Sequence, residues 1–90
     1  MDEVTLRQDR PKILKKLAAL NPKARPDDLS IYVDAFLDYK EAADNISKNG
    51  NIVTHPRTGT PIENPYIKVR ASATFIIRKI KIKTGDLWGS

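Results

Sequence analysis

The stretch "ENPYIKVRASATFIIRKIKIKTG", from Glu63 to Gly85, decides how this chain folds. Asn64 is a strong N-cap residue and Pro65 suits the first turn of a helix, so we expect a helix to begin here. At about 100° per residue, the apolar side chains that follow form two separate stripes. The first stripe consists of Tyr66, Val69, Ala73, Ile76, Ile77 and Ile80. The second stripe consists of Ile67, Ala71, Phe75 and Ile82.

A helix with two apolar stripes needs two partners. We expect the first stripe to face the core of the chain and the second to contact another copy, which predicts a homo-oligomer. The end of this helix has an alternative, because "IRKIKIKT" alternates apolar and basic residues with period 2. The chain there also fits an extended strand, which the β-branched isoleucines permit.

Two earlier segments have helical patterns. The first runs from Asp9 to Leu20, with Pro11 in its first turn, and it stops at the Asn21-Pro22 pair because a residue before proline avoids the helical region. An alternative starts this helix near Val4 with a kink at Pro11. We prefer a flexible N-terminus at residues 1–8.

The second helix begins at Pro26, and its apolar residues recur every three or four positions up to Ile46. We expect Gly50 as the C-cap, with Asn49 as the competing residue. The opposite face of this helix is acidic and carries Asp34, Asp38 and Glu41.

Between the last two helices, "NIVTHPRTGTPIE" predicts a short irregular hairpin with its turn at Thr58-Gly59. The predicted fold is therefore mainly α, with about three helices and a short irregular β-hairpin before the last helix, assembling as an oligomer. A single domain covers residues 9–84 and a C-terminal tail covers residues 85–90. The final Gly-Ser pair is compatible with a cloning remnant.

Charge is distributed unevenly along the 90 residues. Residues 1–26 carry seven Lys and Arg against three acidic residues, residues 27–47 carry one against six, and residues 48–90 carry eight against two. Two basic ends favour a polyanionic partner, and nucleic acid is the commonest partner of that kind. The alternative is a solvated surface on which the acidic middle pairs with the basic ends.

The second helix is a poor candidate for entering a DNA groove, because its row of carboxylates is repelled by phosphates. Contacts to phosphates are expected instead from the first helix, the loop after it, or the hairpin. These predicted DNA-binding residues are Lys12, Lys15, Lys16, Lys23, Arg25 and Arg57. A rival site lies on the last helix, at Lys68, Lys79 and Lys83.

Catalysis is not expected from this composition. The chain has no cysteine and one histidine, His55, so it lacks the residues of a typical zinc site. Its glycines do not form a phosphate-binding loop, and no apolar run is long enough to span a membrane. We predict neither an enzyme nor a cofactor, metal or membrane partner.

The stretch "KNGNIVTHPRTGTPIENPYIKVRASAT" resembles the small terminase subunits of tailed bacteriophages. A helix ending in glycine, a β-branched stretch, a Thr-Gly turn and "NP" opening an amphipathic helix carry the resemblance, which covers Tyr32 to Ile80. The positions that match the pattern are structural: Gly50, Gly59, Pro61, Asn64 and Pro65.

The resemblance implies a non-enzymatic protein that assembles as a ring and binds viral DNA at the start of packaging. It also implies a partner, the large terminase subunit, which carries the ATPase and nuclease and which the small subunit regulates. The implied location is the cytoplasm of the infected host cell. Two other hypotheses for the function remain. One is an interaction module that only oligomerises, its acidic helix meeting a neighbour's basic helix. The other is a small DNA-binding regulator.

Overall fold

The computed structural model describes residues 7–89. Along the chain follow helix α1 (Arg10–Leu20), helix α2 (Pro26–Asn49), strand β1 (Ile52–Thr54), strand β2 (Pro61–Glu63) and helix α3 (Tyr66–Lys79). The strands pair antiparallel, with Val53 opposite Ile62. This architecture confirms the predicted mainly α fold with a hairpin before the last helix. Of the N-terminus predicted to be flexible, residues 1–6 lie outside the described residues.

Helix α2 is the element that the rest of the chain packs against. Its 24 residues span about 36 Å. Helix α1 lies antiparallel to the N-terminal half of α2, and Leu17 is fully buried there. Leu17 forms a buried core cluster with five residues of α2, namely Leu29, Tyr32, Val33, Phe36 and Leu37. Helix α3 returns antiparallel along α2, with the buried Ala42 and Ala73 on the two helices. None of the helices within residues 7–89 is long and apolar enough to cross a membrane.

Glycines close helix α2 and the hairpin turn where the sequence pattern predicted them. Gly50 has φ 85° and donates its backbone N–H to Ile46 O at 2.8 Å, so Gly50 rather than Asn49 is the C-cap. Gly59, with φ 71°, forms the tip of the hairpin. Both φ values lie in the left-handed region, which glycine adopts without steric cost.

Asn64 joins helix α2 to the start of helix α3. Its Oδ1 accepts the backbone N–H of Tyr66, the first residue of α3, at 3.0 Å. Its Nδ2 donates to Asn45 Oδ1 and to Gly50 O, both at 2.9 Å. The residue is 1% exposed. Asn64 therefore holds the end of α2 and the start of α3 together through buried hydrogen bonds.

Helix α3 ends at Lys79, three residues before the end of the second stripe that we predicted for it. Ile80 has extended backbone angles, φ −90° and ψ 112°. Beyond it the side chains alternate: Ile80 and Ile82 pack against the core, whereas Lys81 and Lys83 are exposed. The prediction that Ile82 continues a helical stripe is therefore wrong. The chain leaves the helix at Ile80, as the alternative required, but residues 80–83 do not form a strand. Burying every second isoleucine requires a period of 2, which a helix does not have.

The chain from residue 80 to residue 88, called the C-terminal segment below, covers one side of the core. Trp88 packs edge-on against Phe36 at 4.7 Å and Tyr39 at 5.3 Å between ring centroids. Its Nε1 donates to Tyr32 Oη at 2.8 Å. The Lys40 ammonium lies 5.4 Å from the centre of the Trp88 ring. Residues that the sequence analysis placed in a tail thus complete the core around α2.

Candidate nucleic-acid interface

Helix α1 presents its lysines away from the core. Its apolar residues Ile13, Leu14 and Leu17 pack against α2 and occupy one side of the helix. Lys12 and Lys15 are three positions apart and lie on the remaining surface, where both are exposed. Packing of the apolar side against α2 fixes the rotation of α1 about its axis. Lys12 and Lys15 therefore face solvent even though neither has a bonding partner among the described residues.

The loop at residues 21–25 continues this basic surface. The backbone N–H of Ala24 donates to Asn21 O at 3.0 Å, which makes the loop a tight turn. The carbonyl of Arg25 accepts the N–H of Leu29 at 3.2 Å and so begins the hydrogen bonding of α2. Lys23 and Arg25 are exposed. The structure therefore brings five of the six predicted DNA-binding residues together on α1 and its loop.

Lys83 joins this surface from the C-terminal segment. The Asn21 side chain accepts the Lys83 backbone N–H and donates to its carbonyl, both at 2.7 Å. Lys83 is therefore held beside the 21–25 loop and not on α3, where the rival site was predicted. Only the period-2 pattern of the sequence indicated this extended conformation, and nothing in it indicated Asn21 as the partner. We call Lys12, Lys15, Lys16, Lys23, Arg25 and Lys83 the basic surface.

One member of the basic surface has a partner within the chain. Lys16 Nζ forms an ion pair with the Asp86 carboxylate. The hydrogen bond from Lys16, with its positive charge, holds the pKa of Asp86 below its usual range. Both side chains are about half exposed or more, at 49% and 75%. Lys16 is therefore less available to a phosphate than the other cations of the surface.

Arg57 does not belong to the basic surface. It lies at the tip of the hairpin, which follows the C-terminal end of α2, whereas the 21–25 loop precedes its N-terminal end. The length of α2 separates the two by about 36 Å. His55 has a structural role at this tip: its Nδ1 accepts the backbone N–H of Arg57 at 3.1 Å and that of Thr58 at 3.4 Å.

The acidic row of α2, Asp34, Asp38 and Glu41, is paired with arginines from the start of the described chain. Arg7 bonds Glu41 and Asp38, with Nη2 2.9 Å from Asp38 Oδ1, and Arg10 Nε lies 2.8 Å from Asp34 Oδ1. These carboxylates raise the pKa of both arginines. The carboxylates of this row therefore already have cationic partners within their own chain. Within residues 7–89 no three His, Cys, Asp or Glu side chains are grouped to hold a metal ion.

The outer face of α3 carries the remaining predicted interface residues. Phe75 is 67% exposed, Ala71 is exposed and Ile67 is half-buried. Ile82 lies apart from them, in the C-terminal segment. Lys68 and Lys79 of the rival DNA site are exposed on α3. The structure therefore separates the basic surface on α1 and its loop from a face of α3 on which an aromatic ring projects between cations.

Comparison with known proteins identifies one family. The model of the phage terminase small subunit family matches residues 8–85, which include α1, α2, the hairpin, α3 and most of the C-terminal segment. No curated protein and no solved structure matches the chain.

Proposed function

Because the chain belongs to the phage terminase small-subunit family, in which proteins take part in genome packaging, we propose that its basic surface binds viral DNA. In this proposal the protein is a non-catalytic homo-oligomer that acts in the infected host cell. It holds double-stranded DNA and regulates the large terminase subunit. The basic surface on α1 and its loop is the observation that carries the proposal.

Five cations of the basic surface are available to phosphates: Lys83 on the C-terminal segment and four on α1 and its loop. Lys12, Lys15, Lys23 and Arg25 are exposed, and in the described part of the chain none of them forms an ion pair. They come from a helix and a tight loop that the core holds in place, so their backbone positions are set before DNA binds. The acidic row, in contrast, carries its own arginines.

Binding of this kind depends on phosphates and is strongly sensitive to salt. Four phosphate contacts give a slope of log affinity against log salt near −3.6, so affinity falls roughly a hundredfold between 50 and 200 mM salt. No base-reading side chains are grouped on the basic surface, so we expect little preference for sequence. Several copies in one assembly raise the overall affinity through avidity.

The test is fluorescence anisotropy with labelled duplex DNA at several salt concentrations. Lys12→Gln with Lys15→Gln should lower affinity at least tenfold, whereas the matched pair Lys68→Gln with Lys81→Gln, two exposed lysines outside the basic surface, should change it less than threefold. Lys16 is left intact because it bonds Asp86. If the control pair has the larger effect, or if affinity is equal at 50 and 200 mM salt, the proposed site is wrong.

A second function is favoured by the exposed Phe75: a module that only assembles. Phe75→Glu should yield a single-chain mass in native mass spectrometry while leaving the helical circular dichroism intact, because the ring has no role in the core. If the unsubstituted protein assembles but no duplex DNA binds at low salt, this second function replaces the first.

A further inference from the structure

We propose that copies of this chain associate head to tail, with a patch on α3 of one copy packed against a patch on α2 of the next. The Phe75 patch consists of Phe75, Arg78 and Lys79, and the Ile31 patch consists of Asp27, Asp28 and Ile31. The inference rests on the self-association proposed above, and it names both surfaces of the contact and their relative direction.

The Phe75 patch is apolar at its centre and positive at one end. Phe75 is the most exposed large hydrophobic side chain of the described residues, at 67%. Arg78 and Lys79 follow it by three and four positions, so they lie one turn further along the same face. Both are exposed, and neither forms an ion pair within residues 7–89. A shallow hollow beside the ring is lined by these three residues with Ala71 and Thr74.

The Ile31 patch is negative where the Phe75 patch is positive, and its charged residues precede the apolar residue instead of following it. Ile31 is 47% exposed, and Asp27 and Asp28 precede it by four and three positions. Neither carboxylate forms an ion pair in the described part of the chain. This distinguishes the patch from the acidic row on the same helix, whose carboxylates bond Arg7 and Arg10.

An antiparallel packing of the two helices matches the patches in one register. With Phe75 against Ile31, the turn that carries Arg78 and Lys79 lies beside the turn that carries Asp27 and Asp28. The cations are at the C-terminal end of α3 and the carboxylates at the N-terminal end of α2, so the helix dipoles add to the attraction. A parallel packing would place the cations beside Asp34, which Arg10 already neutralises.

The two patches differ, so each copy offers one of each and the contact cannot be a two-fold symmetric one. A contact of this kind repeats from copy to copy until the assembly closes. In the competing arrangement, two Phe75 patches face to face, Arg78 and Lys79 gain no counter-charge. Packed parallel, the four cations come together, which costs free energy in a partly dry interface; packed antiparallel, each pair lies beside residues 71 and 72 of the other copy, which are uncharged. Burial of Phe75 and Ile31 supplies the apolar part of the contact.

Reversing the charges of each patch in turn tests whether the Phe75 patch contacts the Ile31 patch. One variant, Arg78→Glu with Lys79→Glu, reverses the Phe75 patch. The other, Asp27→Lys with Asp28→Lys, reverses the Ile31 patch. Native mass spectrometry and sedimentation at tens of micromolar measure the mass of each variant alone and of an equimolar mixture. Lys12→Glu with Lys15→Glu and Asp44→Lys with Glu63→Lys change the net charge by the same amounts elsewhere and serve as controls.

Each reversed variant should have the mass of a single chain, because like charges then face each other at every contact. The mixture should regain assemblies that contain both variants, and both controls should assemble as the unsubstituted protein does. Because lysines at the start of α2 also oppose its dipole, Asp27→Asn with Asp28→Asn provides a milder variant, which should weaken association at least tenfold with unchanged circular dichroism.

Three results would overturn the inference. An Ile31-patch variant that assembles normally would show that this surface is not in the contact, a mixture that stays monomeric would show that the patches do not meet, and a monomeric unsubstituted protein would remove the contact altogether. Only the last of these also contradicts the proposed assembly. DNA binding is measured separately, so its failure leaves the pairing test unaffected.

Discussion

The side chain of Asn21 pairs with the backbone of Lys83 through two hydrogen bonds of 2.7 Å, one donated and one accepted by the amide. The same Nδ2 also donates to Leu17 O at 2.9 Å. One side chain thereby closes the C-terminal end of α1 and binds a segment 62 positions further along the chain. The basic surface and the C-terminal segment are joined at this residue.

Asn21→Ala should release the C-terminal segment. The substitution removes three hydrogen bonds, but the backbone of Lys83 can bond water instead, so the free energy of unfolding should fall by about 1–2 kcal/mol. Urea unfolding followed by circular dichroism measures the loss. Asn49→Ala, at an exposed position of the last turn of α2, is the control and should change stability by less than about 0.5 kcal/mol. Equal stability of the two variants would mean that the Asn21 pairing does not hold the segment.

Removing the hydroxyl of Tyr32, which bonds Trp88, should lower the free energy of unfolding by about 1 kcal/mol. Tyr32→Phe removes the acceptor of the indole N–H and leaves that donor without its partner. Trp88 is the single tryptophan of the chain, so its fluorescence reports this site alone. Tyr39→Phe is the matched control, because its ring also packs on Trp88 but its hydroxyl does not bond the indole. We expect a changed emission maximum and lower stability in the first variant only.

Asn64→Asp should be among the most destabilising single changes in the protein. A carboxylate cannot donate to Gly50 O or Asn45 Oδ1, and a negative charge would be buried against two acceptor oxygens. The expected loss is about 3 kcal/mol or more, since breaking buried polar contacts leaves a charge without a counter-charge. Asn51→Asp, at an exposed neighbouring position, should be nearly neutral. A loss below about 1 kcal/mol in urea unfolding would contradict the joining role of Asn64.

Protonation of Asp86 should weaken the attachment of the C-terminal segment at low pH. Its pKa is lowered in the folded protein by Lys16, so the ion pair adds stability above the unfolded-state pKa of about 4 and this contribution is lost as the pH falls through the lowered value. An NMR titration of the Asp86 carboxyl should give a midpoint below that reference, and Lys16→Ala should raise it towards the reference. An unchanged midpoint in Lys16→Ala would show that the pair does not form in solution.

Local signals in the sequence predicted most of the fold. Gly50 ends α2 and Asn64-Pro65 opens α3 because caps and prolines act within a few residues of their own position. The end of α3 was harder, because residues 80–83 satisfy a helical stripe and a period of 2 at once. The core decided between them by burying Ile80 and Ile82 on the same side.

The candidate site was predictable only where it is local. Lys12 to Arg25 share one helix and one loop, so their proximity follows from the sequence order. The neighbourhood of Lys83, in contrast, depends on a hydrogen bond to Asn21, and Trp88 depends on Tyr32, 56 positions away. The helical and strand periodicities of a sequence do not indicate hydrogen bonds between residues so far apart along the chain. The separation of Arg57 from the basic surface, in contrast, follows from the length of α2, which is a local feature that the sequence pattern predicted.

The length of the loops that the C-terminal segment closes leads us to expect that it docks last. Contacts between α2 and α3 close a short connection through the hairpin, whereas the pairs Lys16–Asp86 and Tyr32–Trp88 close loops of 70 and 56 residues. Loop-closure entropy grows with length, so we expect these contacts to form after the helices have docked. In a newly made chain the surfaces of Tyr32, Phe36 and Tyr39 that Trp88 covers therefore stay open until residue 88 has been synthesised. Partially folded molecules would be open on that side of α2.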